Sequence, residues 1–193
     1  QCQLKKRASG FYHQNVLSEE YKTIADYKQN AQWPCLEIDQ YENVFWNGVT
    51  EEQRIFEYAQ ELPMQKGDKD WQPSLGSILE LQFLSTNNGG LGVPIEGITS
   101  PYFYLRKAGS YFTAHTENSD LYSVNLLCPS SGTDNVGITI WYSIPAADFL
   151  KFKNLLSTFF VKEFTNDPEY LRNKSILVNP NIIRENGIRC IRT

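Results

Sequence analysis

His115, Thr116 and Glu117 stand at the centre of the one stretch of this chain with the residue types and spacing of a reactive site. On an extended strand, side chains alternate between faces, so a histidine and a glutamate one residue apart point the same way. An imidazole and a carboxylate side by side are two of the three ligands of a 2-His-1-carboxylate facial triad. That set suits non-haem Fe(II) and leaves positions open for a co-substrate and oxygen. Alone, a His-x-Glu spacing more often means a surface histidine beside a solvated glutamate. The neighbours give it weight. Tyr102-Phe103-Tyr104-Leu105 and Tyr111-Phe112-Thr113 precede it, Leu121-Tyr122-Ser123-Val124-Asn125-Leu126 follows, and Trp141-Tyr142-Ser143-Ile144-Pro145 comes later. All read as strand with aromatic or alternating character.

The elements that must position the pair follow from periodicity and punctuation. Strands are expected over about 101–106, 110–116, 121–127 and 137–144, with a helix starting at Pro145. In that helix Phe149, Phe152, Leu155, Leu156, Phe159 and Phe160 recur at helical spacing and form a core-facing stripe. Upstream, Ser18 followed by Glu19 and Glu20 reads as a capped helix start. A second helix is expected over about 38–46, a strand over 54–58 and a helix over 73–84, with Asn87-Asn88-Gly89-Gly90 as a turn. Downstream, a helical turn is expected over 169–173, a strand over 175–178, and a short helix over 181–186 ending at Gly187. The basic run Lys5-Lys6-Arg7 lies in a segment read as a solvated linker over 1–15, with a domain over 16–193. A nuclear-localisation role for that run is a weaker reading.

With 193 residues, 41% of them hydrophobic and 13% aromatic, the chain can bury one sizeable core. Its net charge of -4 leaves no basic footprint for direct nucleic-acid binding. Cys2, Cys35, Cys128 and Cys190 are widely spaced and show no zinc-finger pattern, so structural thiols are expected. No apolar run approaches a membrane span, and no signal peptide is evident. A chain that begins on Gln1 reads as part of something longer.

Four motifs in order, Pro101-Tyr102-Phe103-Tyr104, Phe112-Thr113-Ala114-His115-Thr116-Glu117, Asp120-Leu121-Tyr122-Ser123-Val124-Asn125 and Trp141-Tyr142-Ser143-Ile144-Pro145, resemble the JmjC domain of histone lysine demethylases. The similarity is closest to the groups acting on histone H3 lysine 4 and on H3 lysine 9/36. Composition by itself gives only α+β. The resemblance implies a jumonji-type double-stranded β-helix, a cupin-like barrel with flanking N-terminal helices. It further implies that this chain stops before the barrel strands that carry the distal histidine. The implied reaction is oxidative demethylation with Fe(II) and 2-oxoglutarate, in which an N-methyl group is hydroxylated and lost as formaldehyde. His115 and Glu117 match the metal ligands. Asn125 and Ser123 match polar residues, and Phe112 an aromatic wall, on the 2-oxoglutarate side. Tyr104 matches a residue lining the methyl-lysine pocket, where an aromatic face suits a methylated ammonium.

The departures from the family are specific. The other histidine, His13, lies far upstream. Thr139 stands where the family has the lysine that pairs with the far carboxylate of 2-oxoglutarate, and no lysine occurs between Lys107 and Lys151. The connection through 129–135 is lengthened, and Met64 falls near a carboxylate-binding tyrosine. Asp167 and Asn173 fall near the zinc ligands of the lysine 9/36 group. The reading adopted is a chromatin-associated, nuclear JmjC protein with impaired catalysis, a pseudo-demethylase or scaffold subunit of a histone-modifying complex. Its partners would be the H3 tail or complex subunits. The alternatives are an active Fe(II)/2-oxoglutarate-dependent demethylase and a JmjC protein hydroxylase.

Overall fold

The computed structural model describes residues 2–16, 37–51, 55–56, 58–63, 98, 102–106, 109–127 and 137–193. The expected helices at Ser18 and over 73–84, Met64, and the 129–135 connection lie outside these. The chain divides into two compact units, residues 1–56 with 111–193, and residues 57–110.

The first unit is built on an antiparallel sheet. Strand β1 (Cys2–Ala8) and strand β2 (Phe11–Val16) form a hairpin, with Lys5 opposite His13 and Ala8 opposite Phe11. Gly10 takes φ +75 in the two-residue turn, the left-handed conformation that such turns favour and that glycine adopts without a Cβ penalty. The short strand β3 (Ile55–Phe56) pairs with β1, and β7 (Ile176–Val178) pairs with β2, giving the order β3-β1-β2-β7. Ala114 extends the sheet beyond β7 through a single bridge to Ile176, its N–H donating to the Ile176 carbonyl at 2.7 Å. The expected linker is therefore corrected: Cys2 and Leu4 are buried, and the basic run belongs to a paired strand.

Alternation along these strands builds two cores. Phe11, Ile176 and Val178 face one way and pack with Phe152, Leu156, Phe160, Phe164, Leu171, Ile183 and Ile188. Leu4, Tyr12 and Leu177 face the other way and pack with Val49 and Tyr111, flanked by Phe45 and Trp46. The second core is closed by helix α1 (Ile38–Glu51), longer than the expected 38–46.

The first core rests on three helices. Pro145 leads into a 3-10 turn (Ala146–Asp148), then helix α2 (Phe149–Phe159), whose Phe152 and Leu156 are buried one turn apart. Phe160 at its end is also buried, while Phe159 is 41% exposed and stacks on Phe11 at 4.0 Å between ring centroids. Phe160 adopts a non-helical φ/ψ, so α3 (Val161–Asn166) starts as a separate helix. Helix α4 (Pro180–Glu185) is capped by Asn179, whose side chain accepts from the Asn181 N–H, and has Pro180 in its first turn. Gly187, at φ +67, follows its end as the sequence leads one to expect.

Two expected strands are much shorter. Only Tyr142–Ser143 of 137–144 forms a strand, β6, paired with β8 (Ile191–Arg192). Backbone hydrogen bonds between Trp141 and Thr193 extend that pair. Residues 110–116 contribute only the Ala114 bridge, and residues 121–127 form no strand, with all seven side chains exposed. A ladder needs a facing chain, and alternation by itself supplies none. In the second unit β4 (Tyr58–Pro63) pairs with β5 (Tyr102–Arg106), so the expected strand at 54–58 is divided between β3 and β4. The described strands thus form three antiparallel sheets beside helices, an α+β arrangement.

Candidate functional site

His115 follows the Ala114 bridge directly. Ala114 packs on the helix-side core and Tyr111 on the other. Along an extended chain, Thr113 and His115 are therefore directed away from the helical layer. The His115 Nδ1 lies 2.7 Å from the Thr113 carbonyl oxygen. A carbonyl can only accept, so Nδ1 carries a proton, and in the neutral ring Nε2 presents the lone pair. This is the tautomer that a metal-ligating imidazole needs, held by the kind of backbone contact that orients such ligands.

Glu117 is held from two sides. Its Oε1 accepts from the Ser123 hydroxyl at 2.6 Å. Its backbone carbonyl accepts from Arg172 Nη1 at 3.0 Å, while Arg172 Nη2 donates to both carboxylate oxygens of Asp120 at 3.0 Å. Between Glu117 and Asp120 the chain makes a 3-10 turn in which Ser119 and Asp120 have φ of 55 and 54. Two non-glycine residues in the left-handed region need outside support. The guanidinium supplies it by clamping the carbonyl at one end of the turn and the carboxylate at the other. In the sequence Arg172 lies only within the expected helical turn over 169–173; its contact with Glu117 and Asp120, more than fifty positions earlier, is tertiary.

Replacing Arg172 with alanine is expected to leave the fold intact and weaken Mn(II) binding by about tenfold, at the lower end of the range for residues that orient ligands. Arg172→Lys should recover only part of this, because one ammonium cannot span both contacts as the planar fork does. Calorimetry with the three proteins checks the order. Equal affinity in all three would show that the clamp is irrelevant to the carboxylate.

The remaining candidates fall in different places. Phe112 is half-buried and stacks on Trp141, with centroids 6.4 Å apart and planes 20° apart. Ser123 is brought to Glu117, as above. Asn125 lies in the exposed 121–127 segment, and Thr139 is half-buried two residues before Trp141. Tyr104 is 39% exposed on β5 of the second unit. His13 is not part of the pair's surroundings. It sits on β2, its Nε2 2.8 Å from the Tyr170 hydroxyl. Burial holds its pKa below the usual histidine value, and the Arg7 charge adds to this. Among the described residues, no group of three or more His, Cys, Asp or Glu side chains converges as a metal site. His115 and Glu117 are donor types that would suit two positions of a facial triad.

Residues 102–193, which hold this site, match the family described as "JmjC domain, hydroxylase". That match covers just under half of the chain, which is also similar in sequence to lysine-specific demethylases. It is 28% identical over 169 residues to lysine-specific demethylase 4D of Rattus norvegicus, covering 88% of this chain and 31% of that protein. It is 27% identical over 190 residues to lysine-specific demethylase 4B of Mus musculus, covering 93% and 16%. It is 25% identical over 181 residues to the probable lysine-specific demethylase SE14 of Oryza sativa subsp. japonica, covering 78% and 12%. The chain thus spans about a third or less of the length of these curated relatives.

Proposed function

We propose that this chain is the JmjC domain, on a jumonji-type double-stranded β-helix, of a nuclear, chromatin-associated protein in which lysine demethylation is impaired at the co-substrate step. Thr139 carries this reading. By resemblance it occupies the position of the lysine that anchors 2-oxoglutarate, and a neutral hydroxyl cannot replace a charge-assisted bond to a carboxylate. His115 through Nε2 and Glu117 through its carboxylate would hold Fe(II), and a third ligand is not among the described residues. Bound there with 2-oxoglutarate, the iron supplies the oxidising chemistry that removes an N-methyl group. The chain's own contribution is orientation. Thr113 fixes the His115 tautomer, Ser123 and Arg172 hold Glu117, and Phe112 against Trp141 forms an aromatic wall. Asn125 would meet the co-substrate and Tyr104 the methylated ammonium. A histone H3 tail, or subunits of a histone-modifying complex, are the partners this reading implies.

The well-supported His115–Glu117 pair favours a second reading, an active demethylase with a substitute cation elsewhere. One substitution separates the two. In the Mn(II)-loaded protein, Thr139→Lys is expected to tighten 2-oxoglutarate binding by about 10- to 100-fold, the worth of one hydrogen bond to a charged group. Calorimetry measures this directly, and demethylation of methylated H3 peptides should rise with it. Tight binding by the unaltered protein, unchanged by Thr139→Lys, would establish the active reading instead.

A further inference from the structure

On the hairpin, away from the His115–Glu117 pair, an open cleft of about 360 Å³ is lined by Lys5, Lys6, Arg7, His13, Asn15 and Glu163. We propose that it is an oxyanion site that takes a small phosphate-bearing ligand. Its hydrogen-bonding inventory is one-sided. Three cationic residues and a single carboxylate line it, in a chain whose net charge is -4. That carboxylate, Glu163, is already paired with Arg7. Lys5 and Lys6 are exposed and make no ion pair among the described residues. The Nδ2 of Asn15 is buried without an acceptor. An unpaired buried amide donor is costly, and the broad terminal torsion of asparagine lets it turn to an incoming oxygen.

The strand pairing explains why these groups converge. Lys5 stands directly opposite His13, and Gln3 opposite Asn15, so Lys5, His13 and Asn15 share one face of the hairpin, while Lys6, opposite Tyr12, belongs to the other face and also lines the cleft. His13 forms a rigid back wall. Its ring stacks on Tyr170 at 6.2 Å and lies 6.4 Å from Phe160, and its Nε2 is engaged by the Tyr170 hydroxyl. The pKa of His13 is depressed mainly by burial, with the Arg7 charge adding to it and Glu163 and a hydrogen bond with Asn15 opposing it. A basic peptide would be repelled here. A compact dianion would gain two ammonium contacts with no carboxylate among the described residues left to displace, lysine binding phosphate as a point charge. The cleft volume is at the low end of small-molecule sites.

The test is calorimetric titration of the chain with pyrophosphate, and separately with citrate, at fixed ionic strength. Saturable pyrophosphate binding is expected, weakened at least tenfold by Lys5→Glu and also by Lys6→Glu. Lys174→Glu, an equal change of charge at a residue that does not line the cleft, should leave it within twofold of the starting value. Absence of saturation would overturn the proposal. So would an equal loss in Lys174→Glu, which would mean diffuse charge attraction, or no loss in the two cleft variants. Tighter binding of citrate than of pyrophosphate would overturn the phosphate assignment. Circular dichroism of each variant confirms that the comparisons are between folded proteins.

Discussion

His115→Ala is expected to weaken Mn(II) binding by about 100-fold or more, exceeding the 10- to 100-fold typical for residues that only orient a ligand. The variant removes a donor whose position the backbone has already set. Thr113, itself buried, holds Nδ1 at 2.7 Å, so little side-chain freedom is lost when Nε2 meets a cation. Mn(II) is the appropriate probe because it accepts imidazole and carboxylate ligands without redox chemistry. Ser123→Ala should have a smaller effect in the same assay, since it frees one oxygen of Glu117 but leaves the carboxylate and the Arg172 clamp in place. The order of effects, His115 first and Ser123 last, distinguishes a ligand from its supports. Unchanged Mn(II) affinity in His115→Ala would place the cation elsewhere and remove the basis for the proposed iron site.

The second large effect concerns stability. Gly10→Ala is expected to cost about 2–4 kcal/mol, the sum of a left-handed backbone penalty and an overpacking term. Gly10 has φ +75, and a Cβ there would stand 2.5 Å from Ile182 Cγ1 and 3.3 Å from Asn179 Cβ. The hairpin cannot simply retreat, because the Gly10 carbonyl accepts from the Asn179 N–H at 2.8 Å and ties the turn to the start of α4. Gly187→Ala is the matched control. Its φ is +67, but the nearest atom is the Lys151 Nζ at 3.8 Å, so only the backbone penalty of roughly 1–2 kcal/mol applies. Urea unfolding of both variants at constant m reads the difference. Equal losses would mean that the turn and α4 are not in the close contact described.

Much of the local structure was legible before any coordinates. The α2 stripe, the short helix ending at Gly187, and the turn over Tyr170–Asn173 follow from spacing and punctuation, which act within a few residues. The extended segments around the pair were harder. Residues 121–127 alternate as a strand should, yet alternation reports only that a segment could present two faces, whereas a strand requires a partner. The reverse error occurred at the N-terminus. Lys5-Lys6-Arg7 reads as solvated linker because charge dominates locally, but pairing with β2 and burial of Cys2 and Leu4 outweigh it.

The sequence by itself supplies the residues on which the proposed chemistry rests: the His115–Glu117 spacing, the ordered aromatic motifs and the threonine at position 139. These are covalent facts, independent of folding. Only the tertiary structure decided which groups support that chemistry. Thr113 selects the tautomer of His115, and Arg172 reaches back to brace the turn after Glu117. It also gathered Lys5, His13, Asn15 and Glu163 around one cleft. Contacts between residues distant in the chain depend on strand register and helix packing, which no local pattern encodes. The same packing set His13 against Tyr170.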